Sequence, residues 1–223
     1  MPALEPLTTP RLRLRQWQEQ DLEPFAALNA DPEVMRYFPG LQSRAASRAS
    51  IDTWSAEIAG RGWSNWAVEL PGSARFIGFV GLTVPRRALP FMPCVEIGWR
   101  FARAHWGQGY ASEAARCALN VGFERLGLAE IVSFTALVNL RSRAVMERIG
   151  MVNAGEDFDH PALPEGSELR RHCLYRVRSS RGQPAWRLLS HYCTSGVSAA
   201  SRSTPATVAA PARSCRYWRR AVT

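Results

Sequence analysis

The sequence predicts an α/β (α+β) domain, and three observations carry that expectation. Strand-like apolar runs take turns with segments of helical spacing over roughly the first 180 residues. A glycine-bearing turn, Trp106-Gly107-Gln108-Gly109-Tyr110-Ala111-Ser112-Glu113-Ala114, opens a helix shortly after the apolar strand Val95-Glu96-Ile97-Gly98-Trp99. A length of 223 residues suits one domain with a full core plus an appendage.

Each element follows in order. Leu12, Leu14 and Gln16 alternate with arginines, the pattern of an exposed edge strand. Asp21 to Leu28 has acids and a proline in its first turn, the signature of a helix start. Ser43 to Ile58 is alanine-rich with Ile51, Trp54 and Ile58 at spacings of three and four, a second helix. Trp66 to Leu70 and Phe76 to Leu82 flank Pro71-Gly72-Ser73 and form a hairpin. The central strand at Val95 comes next, then a helix from the glycine turn to about Gly127, a strand from Ile131 to Leu137, and a helix ending at Gly150. Two last strands are expected near Gly155 to Phe158 and Cys173 to Val177. The order is β-α-α-β-β-β-α-β-α-β-β.

The net charge of +9 suggests nucleic acid until it is divided along the chain. All 19 acids lie at or before Glu168, and the chain has no lysine. Residues 1–180 hold 21 arginines against those 19 acids, a net of +2, and the remaining seven arginines lie beyond Ser180. Residues 1–180 are therefore the expected domain. Residues 181–223, rich in arginine, serine and alanine, are expected to be a disordered tail. That tail could grip RNA or be an out-of-frame extension; nucleic acid is otherwise not an expected partner. Five scattered cysteines without a C-x-x-C pair indicate neither a disulfide framework nor a zinc site, and no metal is expected. No apolar run approaches the about 18 residues of a membrane span and no signal-peptide core is evident, so the expected location is cytoplasmic.

A strand, a glycine turn and a helix N-terminus together present unpaired N–H groups and a positive dipole end, which bind phosphate. A Walker loop needs a lysine after its last glycine, and there is none. A dinucleotide turn starts at the strand end, whereas seven residues, Arg100 to Trp106, intervene here. The acid nearest the next strand, Glu130, also precedes that strand instead of following it.

Trp106-Gly107-Gln108-Gly109-Tyr110-Ala111 resembles the Q/R-x-x-G-x-G/A signature of the GNAT N-acetyltransferases, with tryptophan in its first position as in the RimJ/RimL-like branch. Thr9 to Arg15 is similar to that branch's first strand, Val95 to Arg100 to its central fourth strand, and Asn139 to Met151 to the exit of its fifth strand and the helix after it. The matches run in the expected order over roughly residues 7–178.

The resemblance implies a mixed, mostly antiparallel sheet of roughly six to seven strands, splayed between the fourth and fifth and flanked by about four helices. It implies acetyl-CoA as co-substrate and a primary amine as acceptor, in the first place a protein or peptide N-terminus of ribosomal-protein type, with a small molecule such as an aminoglycoside, polyamine or amino acid as the alternative. A monomer or homodimer is expected. Gly107 to Ala111, with Trp106, would hold the pyrophosphate, Gln108 and Tyr110 projecting beside it. Ile97, Gly98 and Trp99 would offer backbone groups to the pantetheine, and Asn139 its side chain, although Asn139 also fits a helix N-cap. Glu96 is the candidate base, acting through water, and can equally fix a neighbouring arginine. Many members place a tyrosine acid seven residues after the asparagine; here Met146 stands there, leaving Ser142 as the hydroxyl candidate for both catalysis and cofactor contact. Cys117, in an alanine-rich segment, reads as a small hydrophobe. The acceptor pocket is expected from Phe38 in one loop and from Asp157 and Glu165 in another, the acids attracting a cationic amine. The missing tyrosine also admits a CoA-binding sensor without turnover.

Overall fold

The computed structural model describes residues 6–179 and the short strand Thr194–Ser195. The chain opens with β1 (Leu7–Thr8) and β2 (Arg13–Arg15), followed by α1 (Leu22–Ala30), the single-turn α2 (Pro32–Met35) and α3 (Arg44–Arg61). The hairpin β3 (Asn65–Leu70) and β4 (Ala74–Thr83) leads to β5 (Glu96–Phe101), α4 (Tyr110–Asn120), β6 (Glu130–Ala136) and α5 (Leu140–Arg148). Strands β7 (Val152–Asn153), β8 (Phe158–Asp159), β9 (Arg171–Arg178) and β10 (Thr194–Ser195) complete it. One mixed sheet runs in the order β10-β1-β2-β3-β4-β5-β6-β9-β7, with β8 also on β9. Every pairing is antiparallel except β5 with β6. The ten strands exceed the expected six to seven because four are two-residue bridges without a pattern of their own. Of the expected tail, only β10 is described; the rest lies outside the described residues.

Local rules place the helices. The Ser43 hydroxyl accepts from Ala46 N at 3.1 Å to start α3, and the Asp31 carboxylate caps α2, whose first residue is proline. Ile51 and Ile58 of α3 are buried, with Trp54 partly so. On this face of the sheet Trp17, Phe25, Trp54, Phe76 and Phe79 form one aromatic cluster, with Trp54 and Phe79 centroids 4.8 Å apart. On the opposite face Ala114, Ala115, Cys117 and Ala118 are fully buried, and these small side chains let α4 approach β4 and β5 closely. Among the described residues no helix is long and apolar enough to cross a membrane.

The first strand departs from its expected exposed edge. Strand β1 folds back antiparallel on β2, so β2 is internal and Leu12 and Leu14 are buried. Arg15 is buried too, because its guanidinium is shared between Asp21 at 2.7 and 2.9 Å and Glu69 at 2.8 Å, with Arg75 O at 2.6 Å. A buried arginine is tolerated when its donors are satisfied in this way. Arg11 and Arg13 keep the solvent-facing places that alternation assigns them.

Candidate active site

Strands β4 and β5 pair over six residues, from Gly78 opposite Phe101 to Thr83 opposite Glu96. Strands β5 and β6 meet at one bridge only, Glu96 with Val132. Val132 N donates to Val95 O at 2.9 Å and Ser133 Oγ to Ile97 O at 2.9 Å. Beyond these contacts the strands diverge and leave main-chain groups of β5 without a ladder partner. A cavity of about 1590 Å³ runs through the opening, larger than the roughly 300–1,000 Å³ that one small ligand needs. Its walls include Ile97, Gly98, Trp99, Ser133, Phe134 and Thr135 from the two splayed strands.

The glycine turn forms one end. Gly107 and Gly109 take φ of +76° and +80°, conformations that side-chain-bearing residues rarely adopt, and Gly109 is the N-cap of α4. The first N–H groups of α4 consequently face the cavity mouth without an intrahelical acceptor. Trp106 tethers the turn: its Nε1 donates to Phe101 O at 2.8 Å, and the Arg141 guanidinium stacks on its ring at 4.5 Å. Trp106, Gly107, Gly109, Tyr110 and Ala111 all line the cavity, with Arg11, Arg116, Arg141 and Arg148 around them. These groups fit a multiply charged anion. Gln108 does not line the cavity; its side chain turns back to Ala104 O at 3.3 Å, and its carbonyl accepts from Arg11 at 3.0 Å.

The Arg11–Glu113 clamp escaped the sequence reading. The Glu113 carboxylate, buried in the first turn of α4, accepts from Thr9 Oγ1 at 2.6 Å, Arg11 N at 3.0 Å and Arg11 Nε at 2.7 Å. Arg11 also stacks over Tyr110 at 4.7 Å. The arginine cancels a carboxylate that would otherwise repel an anion at this helix end. An acid in the first turn of α4 and an arginine next to Pro10 were the visible signals, but nothing local pairs them across 102 residues.

Asn139 caps α5: its Oδ1 accepts from Ser142 N at 3.3 Å, while its Nδ2 donates to Thr135 Oγ1 at 2.8 Å and Ser142 Oγ at 3.1 Å. Both side-chain donors are thus committed inside the protein. Ser142 lines the cavity, and its hydroxyl proton stays free to donate because the oxygen is the acceptor in that bond. Met146 is buried.

Glu96 projects into the middle of the cavity, where no described residue donates a hydrogen bond or ion pair to its carboxyl. Burial alone pushes its pKa up to about 8. Four residues along the same strand, Arg100 also faces the cavity, held by a 2.5 Å bond from Nη1 to Asn29 Oδ1. Phe38 lines this end but covers Arg100, its ring 4.0 Å from the guanidinium carbon. Asp157 and Glu165 do not reach the cavity: both are exposed, and Glu165 lies 3.9 Å from Arg170. Their loop contributes His160 and Leu163 instead, because Phe158 anchors it inward against Phe91 and Phe134. The His160 and His172 rings stack at 4.8 Å, and burial lowers His160 to about 4.

Comparison with known proteins agrees with this geometry. The family described as acetyltransferase (GNAT) domain matches residues 11–152. The uncharacterized protein YkkB of Bacillus subtilis is 36% identical, over 68% of this chain and 87% of that protein. An Aspergillus fumigatus protein named FsC-acetyl coenzyme A-N(2)-transacetylase is 32% identical, over 81% of this chain and 83% of its own. Among solved structures, a GNAT-family acetyltransferase from Bacillus anthracis superimposes with a TM-score of 0.64 at 27% identity, covering 78% of this chain and 98% of that one. RimJ of Mycobacterium smegmatis, solved with CoA-disulfide, has a TM-score of 0.62 at 20% identity, covering 84% and 94%. The chain belongs to the GNAT acetyltransferase family and is an N-acetyltransferase that uses acetyl-CoA.

Proposed function

We propose that this enzyme transfers acetyl from acetyl-CoA to a primary amine by direct attack within a ternary complex, and that the amine belongs to a small molecule. The observation that carries the reading is one continuous cavity that holds both the glycine turn and the unpartnered carboxyl of Glu96. The turn, Trp106 and the surrounding arginines would hold the pyrophosphate. Of the groups expected to take the pantetheine amides, Ile97 O is held by Ser133 Oγ and Gly98 pairs with Gly81, so the main chain of Trp99 and the N–H of Ile97, on the β6 side of β5, would take them.

Glu96 would accept the amine proton through water. The amine nitrogen bonds to the thioester carbonyl carbon, the carbon–sulfur bond breaks, and the thiolate takes a proton, with Ser142 the nearest candidate donor. A thiolate of pKa about 8.5 needs little help, which makes a weak acid sufficient. Cys117 is fully buried in α4, so no acetyl-enzyme is invoked.

One observation favours a small acceptor: a relative at 32% identity bears the name FsC-acetyl coenzyme A-N(2)-transacetylase, which numbers a nitrogen and mentions no protein. Asp157 and Glu165, expected to attract a cationic amine of either kind, lie away from the cavity and favour neither reading. A protein or peptide N-terminus is the second reading, supported by the RimJ/RimL-like signature and the likeness to RimJ. Either acceptor suits a cytoplasmic enzyme. Thiol release from acetyl-CoA across small amines and ribosomal-protein N-terminal peptides decides. Turnover confined to peptides would establish the second reading, and tight CoA binding without turnover on any amine would leave a sensor.

A further inference from the structure

On β5 the side chains of Glu96, Gly98 and Arg100 fall on one face, since residues two apart in a strand share a side. Above Gly98 the space is open: a side chain there would have the Glu96 carboxyl, 3.9 Å away, as its nearest neighbour. The cavity therefore holds an acid and, along the same strand, a guanidinium, their backbones about 13 Å apart.

Arg100 is unlike the arginines that pair with carboxylates elsewhere in the molecule. Eleven others, Arg15 among them, sit in ion pairs, whereas no described carboxylate reaches Arg100. Its Nε is buried without a hydrogen-bond partner. Its anchor, Asn29, is a neutral amide held in turn by Ser47 at 2.9 Å, and Phe38 and Phe79 flank the guanidinium at 4.0 and 5.5 Å. An amide orients the fork without neutralising it. Burial lowers the pKa of Arg100 to about 10, so the charge persists at neutral pH. A desolvated cation without a counter-ion is costly unless a ligand supplies one, and a planar guanidinium matches a carboxylate bidentately.

We infer that Arg100 binds an oxyanion of the acceptor, making the substrate class primary amines that also carry a carboxylate, such as amino acids. This rests on the acetyltransferase reading above and narrows its acceptor. The amine then lies over Gly98 beside Glu96, with the carboxylate two residues along the strand, about 7 Å away. The carboxylate belongs either to a free amino acid or to an acidic residue near a peptide N-terminus.

The test uses matched pairs that differ only in charge: α-, β- and γ-amino acids against their primary amides, and Ser-Asp against Ser-Asn peptides amidated at the C-terminus. Initial rates, expressed per unprotonated amine, give kcat/KM. Calorimetry with CoA bound gives Kd for the corresponding N-acetylated products, whose affinities do not depend on amine titration. At least a tenfold preference for the acid is expected in both measurements. It should fall to near unity in R100Q and partly return in R100K, with CoA affinity unchanged. Preference among the free amino acids identifies a small acceptor, and preference confined to Ser-Asp an acidic N-terminus. Equal affinity for acid and amide in the unaltered enzyme overturns the inference, and so does a preference that survives R100Q. The unaltered enzyme decides alone if R100Q does not fold. Product discrimination without turnover on any amine would sink the acetyltransferase reading but not the anion site, and turnover without discrimination would do the reverse.

Discussion

Replacing Glu96 with glutamine removes a titration while nearly preserving shape, and its consequences are calculable. Burial holds the Glu96 carboxyl near pKa 8 against an ordinary value of 4.5, so the native state binds the proton more tightly than the unfolded chain does. Stability is then fully present below about pH 4.5 and is lost as pH rises through about 8. At about 1.36 kcal/mol per pH unit the loss reaches an upper bound on the order of 5 kcal/mol. E96Q does not titrate and should escape it. Its melting temperature should match the unaltered enzyme near pH 5 and exceed it by at most roughly 10–20 °C at pH 9, at about 2–4 °C per kcal/mol for a chain this size. Catalysis should move the other way. About a tenth of the carboxyl is ionised at pH 7, so kcat/KM per unprotonated amine should rise roughly tenfold by pH 9. E96Q should lose that rise together with about 10²–10⁴ of the rate. Differential scanning fluorimetry and thiol-release kinetics from pH 5 to 9 supply both curves. A stability difference that stays flat with pH, or an E96Q rate profile that keeps its alkaline limb, would refute the reasoning.

Three further outcomes are expected. Gly81 and Gly98 face each other across β4 and β5, yet a Cβ at Gly81 would lie 2.2 Å from Ser64 O, while one at Gly98 meets nothing within 3.9 Å. G81A should therefore destabilise by about 3 kcal/mol or more and G98A by under about 1, with the G98A defect read instead in the KM for acetyl-CoA. E113Q should cost about 2 kcal/mol in urea unfolding, since it loosens Arg11 and Thr9 together, while CoA binding by calorimetry should hold or tighten because the carboxylate it removes would repel the anion. His160, held near pKa 4 by burial, has a folded pKa below its ordinary 6.5, so the enzyme should lose stability between pH 7 and pH 5, by under about 2 kcal/mol because the ring is partly open to solvent. H160Q should flatten that acid limb; equal acid sensitivity in the two proteins would exclude His160 as its source.

What could be read from residues alone divides along a physical line. Signals that act within a few residues were legible: the helix opening at Ser43, the cap Asn139, the glycines at 107 and 109, and the small face of α4. Charge placement was not. Arg13 and Arg15 look alike in a strand pattern, but Asp21 and Glu69 bury one and leave the other in solvent. Arg11 and Glu113 read as a strand charge and a helix-start acid until the fold brings them together. Asp157 and Glu165 belong to the expected loop, yet the inward turn of Phe158 sends other side chains to the cavity. Arg100 carried a usable hint: a charge two residues beyond a strand glycine and four beyond Glu96 must share their face.

The lone bridge between Glu96 and Val132 also bears on how the molecule holds together mechanically. On one side the ladder is continuous from β1 to β5, and on the other β6 to β9 form a second hydrogen-bonded block. With so little backbone bonding between the blocks, their spacing depends on the helices that span them, α4 against α5, where Arg116 donates to Arg148 O at 2.6 Å. The jaws of the cavity are thus set from behind by side-chain packing, which can relax by tenths of an ångström at little cost, whereas a ladder is held rigidly by its hydrogen bonds. Substitutions in the α4–α5 seam, far from any reacting atom, accordingly have leverage over how wide the two blocks stand apart.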